Sequence, residues 1–562
     1  MHSPTGRAST GSRQIDGKAS ARAGSLSPLT ASLTVAAWLV LFDNRAFWQT
    51  FWGAQTPWTV SAVLSTGAIA LVLIIGFGSL LRLLAGSRAN LVLLGTVLVV
   101  SASVAHYVDA WGVLFDKNMV RNIVESDPRE ASELLSWPSF LDVALRGVLP
   151  VVLLGFLGVR TSRGTRTALE ATMLTAATAV IAGIVLLAFY GTLAATFRSH
   201  RELRFQLVPT NYLNATYGYL KGSSKAKPVI TVVGADASRA AVTTDKPLVL
   251  VLIVGETARA ANFSLGGYRR ETNKALNGSG VVYFSDVASC GTDTATSLPC
   301  MFSDLGARDF TVSAANGREN ALDVLQKAGV SVEWLDNNSG CKGVCARVPS
   351  QQMPTSGIDK LCSEGNCLDE VLIQALGRRL ESARKDSTIV LHQMGSHGPS
   401  YFKRYPTPGP FQPTCDTNRI QTCEVTALVN TYDNSIDYTS QVIAQAIEVA
   451  RSKESQMDVA VVYLSDHGES LGERNIYLHG LPLLLAPSEQ TRVPMMIWMS
   501  KGAQERTNIS NGCMQAIADS SLSHDALFPT LLGFFSVETA AYRPDLDVLA
   551  LARKGKSCKA GA

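Results

Sequence analysis

Acidic side chains and a histidine follow two strand-like apolar runs of this sequence. Glu256 comes two residues after one run, and Asp466 and His467 directly follow another, in the stretch SDHGESLGE. Zinc in proteins binds histidine nitrogen and carboxylate oxygen, and a catalytic zinc keeps one coordination position open. A metal ion held in this way polarises a phosphoryl oxygen and activates a nucleophile. The three residues are therefore candidate zinc ligands.

Two further histidines stand near these positions in the sequence. His397 follows a third apolar run, in the stretch GSHGP, and His479 lies shortly after the Asp466 motif. The chain has only eight histidines, and four of them, His392, His397, His467 and His479, lie at these strand ends or shortly after them. A single histidine is as often a packed or surface residue, but this clustering favours one shared site.

A nucleophile is expected in the stretch CGTDTATSLPC at 290–300, which is rich in hydroxyl groups. A hydroxyl at a helix N-terminus would lie where backbone N–H groups favour phosphate, and metal coordination would lower its pKa. A helix-capping threonine is the plainer alternative. Spacing alone does not choose among the four candidates Thr292, Thr294, Thr296 and Ser297.

The elements that position these residues alternate between strands and helices. Strands are predicted at 247–254, 331–335, 388–393, 458–464 and 494–499, and helices at 321–328, 369–383, 427–450 and 524–532. This alternation predicts an α/β sandwich around a mostly parallel sheet. Ligands of such sheets bind at the carboxyl ends of the strands, where the acids and histidines stand.

The first third of the chain has a different composition. Apolar residues make up 46% of the sequence and charged residues 17%, and the apolar excess is concentrated before residue 197. A membrane-spanning helix needs about 20 apolar residues. Five such helices are predicted, at 29–51, 60–84, 91–115, 140–159 and 168–192. The first contains Asp43 and Arg45, so an end near Phe42 is the alternative for that segment. The net charge of +4 is too small to indicate a nucleic-acid partner.

Lysine and arginine in the short connections predict the orientation in the membrane. Basic residues lie before the first segment and in the connections after the second and the fourth. These positions share one side, which is the cytoplasm. We therefore predict a cytoplasmic tail at 1–28, a membrane domain at 29–196, an interfacial bridging segment at 197–244 and a periplasmic catalytic domain at 245–562.

All ten cysteines lie after residue 289, in the domain predicted to be periplasmic. Closely spaced cysteines in an even number predict disulfides in an oxidising compartment. Proximity suggests the pairs Cys290–Cys300, Cys341–Cys345, Cys362–Cys367, Cys415–Cys423 and, as the remainder, Cys513–Cys558. The cysteine pattern thus agrees with the orientation predicted from the basic residues.

Five motifs together resemble the phosphoethanolamine transferases that modify lipid A. They are GETARAANFSL at 255–265, the 290–300 stretch, GSHGP at 395–399, SDHGESLGE at 465–473 and YLHG at 477–480. The likeness covers nearly the whole chain, including five spans before the catalytic domain. It implies an alkaline-phosphatase-like or sulfatase-like fold in that domain.

The resemblance also implies roles for individual residues. Thr294 stands at the position of the family nucleophile and fourth zinc ligand, beside Glu256, Asp466 and His467. His397 and His479 resemble the histidines that bind the donor phosphate or a second zinc ion. The family residues near the substrate and its ethanolamine headgroup correspond to Lys342, Asn122 and Glu130. Asp293 departs from the family, in which a small residue is frequent beside the nucleophile.

The activity implied is transfer of phosphoethanolamine from phosphatidylethanolamine to a lipid A phosphate by a monomeric inner-membrane enzyme. The added amine would lower the negative surface charge and weaken the binding of cationic peptides such as polymyxin. Alternative acceptors are core heptose or another glycan. A phosphatase or sulfatase is a further alternative, but 298–300 lacks the arginine of a sulfatase motif. A non-catalytic receptor is disfavoured by the complete set of site residues.

Overall fold

The computed structural model describes the chain from residue 25 to residue 554 with short gaps. The gaps lie at 56–57, 85–87, 126–127, 161, 163, 224–229, 240–244, 355–357, 359 and 364–365. The basic residues of the predicted cytoplasmic tail lie outside the described residues. The chain divides into two compact units, of which the first comprises residues up to 43, 51–103 and 142–198, and the second 44–50, 104–141 and 199 onward.

Apolar helices make up the first unit. Four helices are long and apolar enough to cross a membrane: Val60–Leu84, Val92–Trp111, Trp137–Leu157 and Gly164–Ser199. Large apolar side chains on them, such as Leu187 and Phe156, are exposed. Contiguous exposed apolar surface of this kind is typical of a face that contacts lipid.

The prediction of five long spans is wrong for the first segment, 29–51. The structure has a 15-residue apolar helix at Pro28–Phe42 and a separate helix at Arg45–Gly53. The chain turns between them because the Asn44 side chain bonds both backbone groups of Val208, at 2.8 Å each. A 15-residue helix rises about 22 Å, less than the ~30 Å hydrocarbon core. The described residues therefore contain four helices of spanning length and one shorter apolar helix.

Polar contacts join two helices of the first unit. Arg82 is fully buried and donates to Glu170 at 2.7 Å, and the hydroxyls of Ser79 and Thr175 lie 2.6 Å apart. Charged side chains in apolar surroundings persist where a partner neutralises them. These contacts therefore fix the helix Val60–Leu84 against Gly164–Ser199.

A seven-stranded sheet forms the centre of the second unit. In chain order its strands are β1 Leu248–Gly255, β2 Val282–Phe284, β3 Ser331–Asp336, β4 Ser350–Gln352, β5 Ser387–His392, β6 Asp458–Ser465 and β7 Met495–Met499. The spatial order is β2-β7-β6-β1-β5-β3-β4. The strands from β6 to β4 are parallel, whereas β7 runs antiparallel to β6 and β2. The predicted α/β fold is thus present, with an antiparallel edge that makes the sheet mixed.

Helices cover both faces of this sheet. Alternate residues of β1 enter two separate cores, since successive strand side chains point to opposite faces. The helices Glu370–Ser382 and Val425–Arg451 contribute to one core, and Ala321–Lys327 and Leu527–Phe534 to the other. The helix predicted at 524–532 begins with a 3₁₀ turn at His524–Ala526.

Shorter elements complete the described second unit. The remaining helices are Lys117–Glu125, Pro128–Glu133, Leu203–Gln206, Thr210–Ser223, Thr294–Met301, Gly306–Asp309, Val312–Asn316, Ser488–Thr491, Lys501–Thr507, Asn511–Gln515 and Val548–Lys554. The two-stranded pairs are Ser238–Arg239 with Val537–Glu538, Val287–Ala288 with Leu522–Ser523, Cys362–Ser363 with Asn366–Cys367, and Ser470–Leu471 with Tyr477–Leu478.

Four disulfides join neighbouring cysteines in the second unit. They are Cys290–Cys300, Cys341–Cys345, Cys362–Cys367 and Cys415–Cys423. Cys558 lies outside the described residues, so its pairing with Cys513 stays a prediction. The first bridge spans Thr294 and therefore constrains the loop on which the candidate nucleophile lies.

Candidate active site

The candidate metal ligands lie where two adjacent parallel strands end. Gly255 of β1 pairs with Ser465 of β6, so the next residues, Glu256 and Asp466, emerge side by side. The backbone N–H of Asp466 donates to the Gly255 carbonyl at 3.0 Å. A Cβ at position 255 would lie 2.3 Å from the hydroxyl oxygen of the buried Tyr463 side chain, so glycine leaves room for the packing of that ring.

Thr294 reaches the same edge from the start of a helix. It is the first residue of Thr294–Met301, which we call the Thr294 helix. Asp293 caps this helix by accepting from the Thr296 N–H at 3.0 Å. Thr294 Oγ1 lies 3.2 Å from both carboxylate oxygens of Glu256 and 3.3 Å from His467 Nε2. The hydroxyl therefore faces the metal-ligand candidates.

The donor atoms have the spacing of a tetrahedral site. His467 Nε2 lies 3.4 Å from Glu256 Oε1 and 3.4 Å from Asp466 Oδ2. All three side chains are fully buried, and Asp466 Oδ2 has no hydrogen-bond partner. Zinc bonds of about 2.0–2.1 Å place tetrahedral ligands about 3.3–3.4 Å apart. Glu256, Asp466 and His467 could therefore hold a metal ion, and the Thr294 hydroxyl lies beside them.

Neighbouring groups hold these ligands in orientation. Glu256 accepts from Asn338 at 2.8 Å and from the Thr257 hydroxyl at 2.6 Å. His467 Nδ1 lies 2.9 Å from the Gly468 carbonyl, which leaves Nε2 to face the site. Such outer contacts fix the tautomer and direction of a ligand, so the site is organised by the fold itself.

Charge within the cluster shifts the titration of its members. Burial and the neighbouring Glu256 carboxylate raise the pKa of Asp466 to about 6. Burial acts to lower the pKa of His467, but the carboxylates of Asp466 and Glu256 raise it to about 10. Two buried carboxylates this close repel each other, and a bound cation would remove that repulsion.

His397 and His479 approach the same site. Their ring centroids lie 5.6 Å apart, and the His479 ring lies 4.4 Å from that of His467. His479 Nδ1 is 2.7 Å from Oε2 of Glu469, a fully buried carboxylate that also accepts from the Tyr401 hydroxyl. Glu469 thereby directs the Nε2 atom of His479 away from itself and fixes the ring.

A small cavity opens on the other side of Thr294. Its volume is about 70 Å³, and it is lined by Asn122, Glu125, Asp293, Thr294, Ala295, Ser339, Lys342, His397 and His479. Lys342 Nζ donates to the Ser339 hydroxyl at 3.1 Å. A second cavity of about 250 Å³ shares Glu125, Ala295 and Lys342 with the first. We call the smaller one the Thr294 cavity.

The structure brings together eight of the nine residues predicted at the site. Asn122 joins them through the helix Lys117–Glu125, whereas the side chain of Glu130 lies outside the described residues. Sequence reasoning missed Asn338 and Glu469. Asn338 comes two residues after β3, so the strand-end argument could have found it, and Glu469 stands within the quoted 465–473 motif.

Comparison with known families gives two matches along the chain. A family profile described as "Sulfatase" matches residues 249–537, and one described as "Phosphoethanolamine transferase EptA/EptB" matches residues 55–223. The first match covers the sheet and the candidate site. The second covers most of the apolar helices and the helix that carries Asn122.

Individual relatives match over most of the chain. Phosphoethanolamine transferase EptA of Escherichia coli K12 is 39% identical over 467 residues, covering 81% of this chain and 84% of the relative. Phosphatidylethanolamine transferase Mcr-1 of Escherichia coli is 35% identical, with 91% and 96% covered. The solved lipooligosaccharide phosphoethanolamine transferase A of Neisseria meningitidis aligns with a TM-score of 0.88 at 33% identity, covering 94% of this chain and 99% of that one.

Proposed function

The chain belongs to the phosphoethanolamine transferase family, and from this premise we propose that it moves phosphoethanolamine from phosphatidylethanolamine to a lipid A phosphate through Thr294. The observation that carries the proposal is the position of the Thr294 hydroxyl, 3.2–3.3 Å from ligand atoms of Glu256 and His467. The two transferases described above act, by name, as phosphoethanolamine or phosphatidylethanolamine transferases.

Glu256, Asp466, His467 and Thr294 would hold one zinc ion, which supplies positive charge that favours the deprotonated hydroxyl and the phosphoryl oxygens. The Thr294 oxygen attacks phosphorus, its bond to phosphorus forms, and the bond from phosphorus to the diacylglycerol oxygen breaks. The departing oxygen takes a proton, and His479, held by Glu469, is placed to supply it. A lipid A phosphate oxygen then attacks the same phosphorus, and the bond from phosphorus to Thr294 Oγ1 breaks. The released oxygen takes back from water the proton that the Thr294 hydroxyl gave up to water before the first attack.

The side of the membrane follows from charge and cysteines. Arg82 and Arg88 flank the second connection, Arg160 and Arg163 lie in the sequence between the last two long helices, and Arg166 lies in the first turn of the last one. In our proposal these connections and the tail 1–28 face the cytoplasm, and Pro28–Phe42 crosses as a short first span, with the bilayer thinned locally to match its length. The disulfide-bonded domain at 245–562 then lies in the periplasm of the inner membrane, where such bonds persist. The bridging segment 197–244 would lie at the membrane surface.

The test uses the full-length protein in lipid nanodiscs with phosphatidylethanolamine carrying a labelled headgroup. We expect labelled phosphoethanolamine on Thr294 in the absence of acceptor, located by peptide mass spectrometry, and its loss when lipid A is added. Thr294→Ala should give neither product. The exposed pair Arg543 and Asp545 offers a control, since Arg543→Ala should leave both steps intact. Label on another residue would refute the assignment.

The same reaction mixture separates the alternatives. Transfer to lipid A adds one phosphoethanolamine mass to the lipid A fragment, whereas a core-directed enzyme modifies only substrates that carry core sugars. A hydrolase would release free phosphoethanolamine without any acceptor. We propose that the enzyme acts as a monomer, so nanodiscs loaded with a single copy should retain full activity per chain.

A further inference from the structure

The helix Lys117–Glu125, which we call the docking helix, contacts the Thr294 helix through one arginine. Arg121 Nη2 donates to the Thr296 hydroxyl at 2.8 Å and to the Asn118 side-chain oxygen at 3.0 Å. The two helices are separated by 175 residues of sequence at this contact. The docking helix also supplies Asn122 and Glu125 to the Thr294 cavity.

The Thr296 hydroxyl also contacts Asp293, the residue before the nucleophile. This hydroxyl is 2.9 and 3.0 Å from the two carboxylate oxygens of Asp293 and can donate to one of them. Arg121 Nη2 itself lies 4.0 Å from Asp293 Oδ1, and both side chains are largely buried. A hydroxyl that accepts from a guanidinium and donates to a carboxylate is held from both ends.

Asp293 therefore has two functions in this geometry. It caps the Thr294 helix through the Thr296 N–H, and it offers the negative charge that Arg121 approaches. A serine could cap the helix equally well, but it would offer no charge. The amide nitrogen of Asn122, oriented toward an acceptor, also donates to Asp293 Oδ1 at 3.2 Å. The docking helix thus contacts the nucleophile's helix at Thr296 and at the capping residue Asp293.

We propose that Arg121 and Asp293 are positioning residues for the transfer reaction, which act through Thr296 to fix the docking helix against the Thr294 helix. We call Arg121, Thr296 and Asp293 the docking triad. The triad determines how far Asn122 and Glu125 lie from Thr294, and hence the width of the Thr294 cavity where the donor headgroup would bind. This inference rests on the proposed role of Thr294 as the nucleophile.

The test is a double-mutant cycle on the full-length protein in nanodiscs. Arg121→Gln and Thr296→Val each remove one end of the same contact. We expect each to raise the KM for phosphatidylethanolamine about tenfold, as the loss of a partly buried charge-assisted hydrogen bond would, with kcat changed less than KM. The rise in KM in the double variant should be smaller than the product of the two single rises, because both substitutions remove the same Arg121–Thr296 contact. KM increases that multiply, or a KM that stays unchanged, would overturn the proposal.

Asp293 variants separate capping from charge. Asp293→Asn keeps a good helix cap and removes the carboxylate, so it should resemble Arg121→Gln. Asp293→Ala removes both and should also reduce kcat, because the Thr294 hydroxyl loses its fixed position. If Asp293→Asn retains the original KM, the charge of Asp293 has no positioning role.

Two measurements keep this test distinct from the proposed function. Zinc content and the melting temperature should be unchanged in Arg121→Gln, as in the control Arg543→Ala; lowered values would indicate general damage and contradict a positioning role. Labelled phosphoethanolamine should still appear on Thr294 in all triad variants. Label on another residue would refute the proposed nucleophile. Label on Thr294, combined with KM increases that multiply in the double variant, would refute only the role of the docking triad.

Discussion

The two sides of Thr294 are built in different ways. On the metal side, Glu256, Asp466 and His467 are fully buried and follow adjacent parallel strands directly. On the cavity side, Asn122 and Lys342 are partly exposed and come from a short helix and a loop. Backbone hydrogen bonds of the sheet position the first group, whereas single side-chain contacts position the second.

This difference has a consequence for substitution. The strand register fixes the buried ligand candidates in one position, so no other side chain can replace one of them. Removing one ligand should therefore eliminate the transfer reaction. Groups on a docked helix or loop share the binding of one small headgroup, and losing one should weaken binding in a graded way. The predictions below test that division from the largest expected effect to the smallest.

Removing one metal ligand should have the largest effect. Asp466→Asn keeps the shape of the side chain but removes the charge that faces the other ligands, and we expect both zinc binding and transfer to fall by at least about a thousandfold. Metal content by mass spectrometry and kcat/KM measure the two quantities. Asp545→Asn, at an exposed position, is the matched control. A variant that retains both zinc and activity would contradict the distinction between an indispensable metal side and a graded cavity side.

The metal side could be predicted from sequence because it needs only local rules. A run of apolar residues predicts a buried strand, and an acid after its last residue predicts the edge where ligands bind; Glu256 and Asp466 follow that rule. The cavity side could not be predicted in this way. Arg121 contacts Thr296, which is 175 residues away in the sequence, and the periodicity of apolar residues does not predict such a contact. Asn122 was assigned only through family resemblance.

The first apolar segment shows the same limit in the membrane half. Hydropathy predicted one span at 29–51 because the segment is apolar on average. The charged residues Asp43 and Arg45 suggested an end near Phe42, and the helix does end there. The hydrogen bonds of Asn44 to Val208, 164 residues away, could not be predicted from composition. Where the length of the apolar run alone determines the helix, as in Val60–Leu84, the predicted and observed bounds agree.

The histidine beside the metal side should show the next largest effect. Glu469→Gln removes the carboxylate that orients His479 and leaves Tyr401 with a neutral partner. We expect kcat to fall about a hundredfold, the range typical of a mispositioned proton donor, while the KM for phosphatidylethanolamine changes little. Tyr401→Phe, which keeps the carboxylate, should lower kcat less. Equal effects on kcat and KM would show that His479 contributes to binding of the donor headgroup, like the residues of the cavity side.

On the cavity side we expect a smaller and graded effect. Lys342 lies at the Thr294 cavity with its ammonium group near Ser339. Lys342→Met preserves the length of the side chain but removes its charge, and the KM for the donor should rise about tenfold with kcat retained. Lys342→Arg should recover part of the binding. A complete loss of activity in Lys342→Met would show that both sides of Thr294 are equally indispensable.

The smallest expected effect concerns a buried ion pair behind the metal side. Asp336, at the end of β3, lies 3.1 Å from His392 Nδ1 and accepts from the Asn338 N–H, and Asn338 in turn holds Glu256. Burial acts to raise the pKa of Asp336, but the His392 charge lowers it to about 2. Burial acts to lower the pKa of His392, and Asp336 raises it above its usual value.

Asp336→Asn should therefore change stability more than catalysis. A carboxyl whose pKa falls from 3.8 to about 2 on folding contributes on the order of 2 kcal/mol, fully present above pH 4 and lost as the pH falls toward 2. The raised pKa of His392 adds stability that is present below its unfolded pKa and is lost as the pH rises through its folded pKa. The melting-temperature difference between Asp336→Asn and the unchanged protein should thus be largest near pH 5 and narrow below pH 4. A difference that does not vary with pH would show that Asp336 acts through shape alone, and a loss of zinc would show that the metal side depends on this pair as well as on the strands.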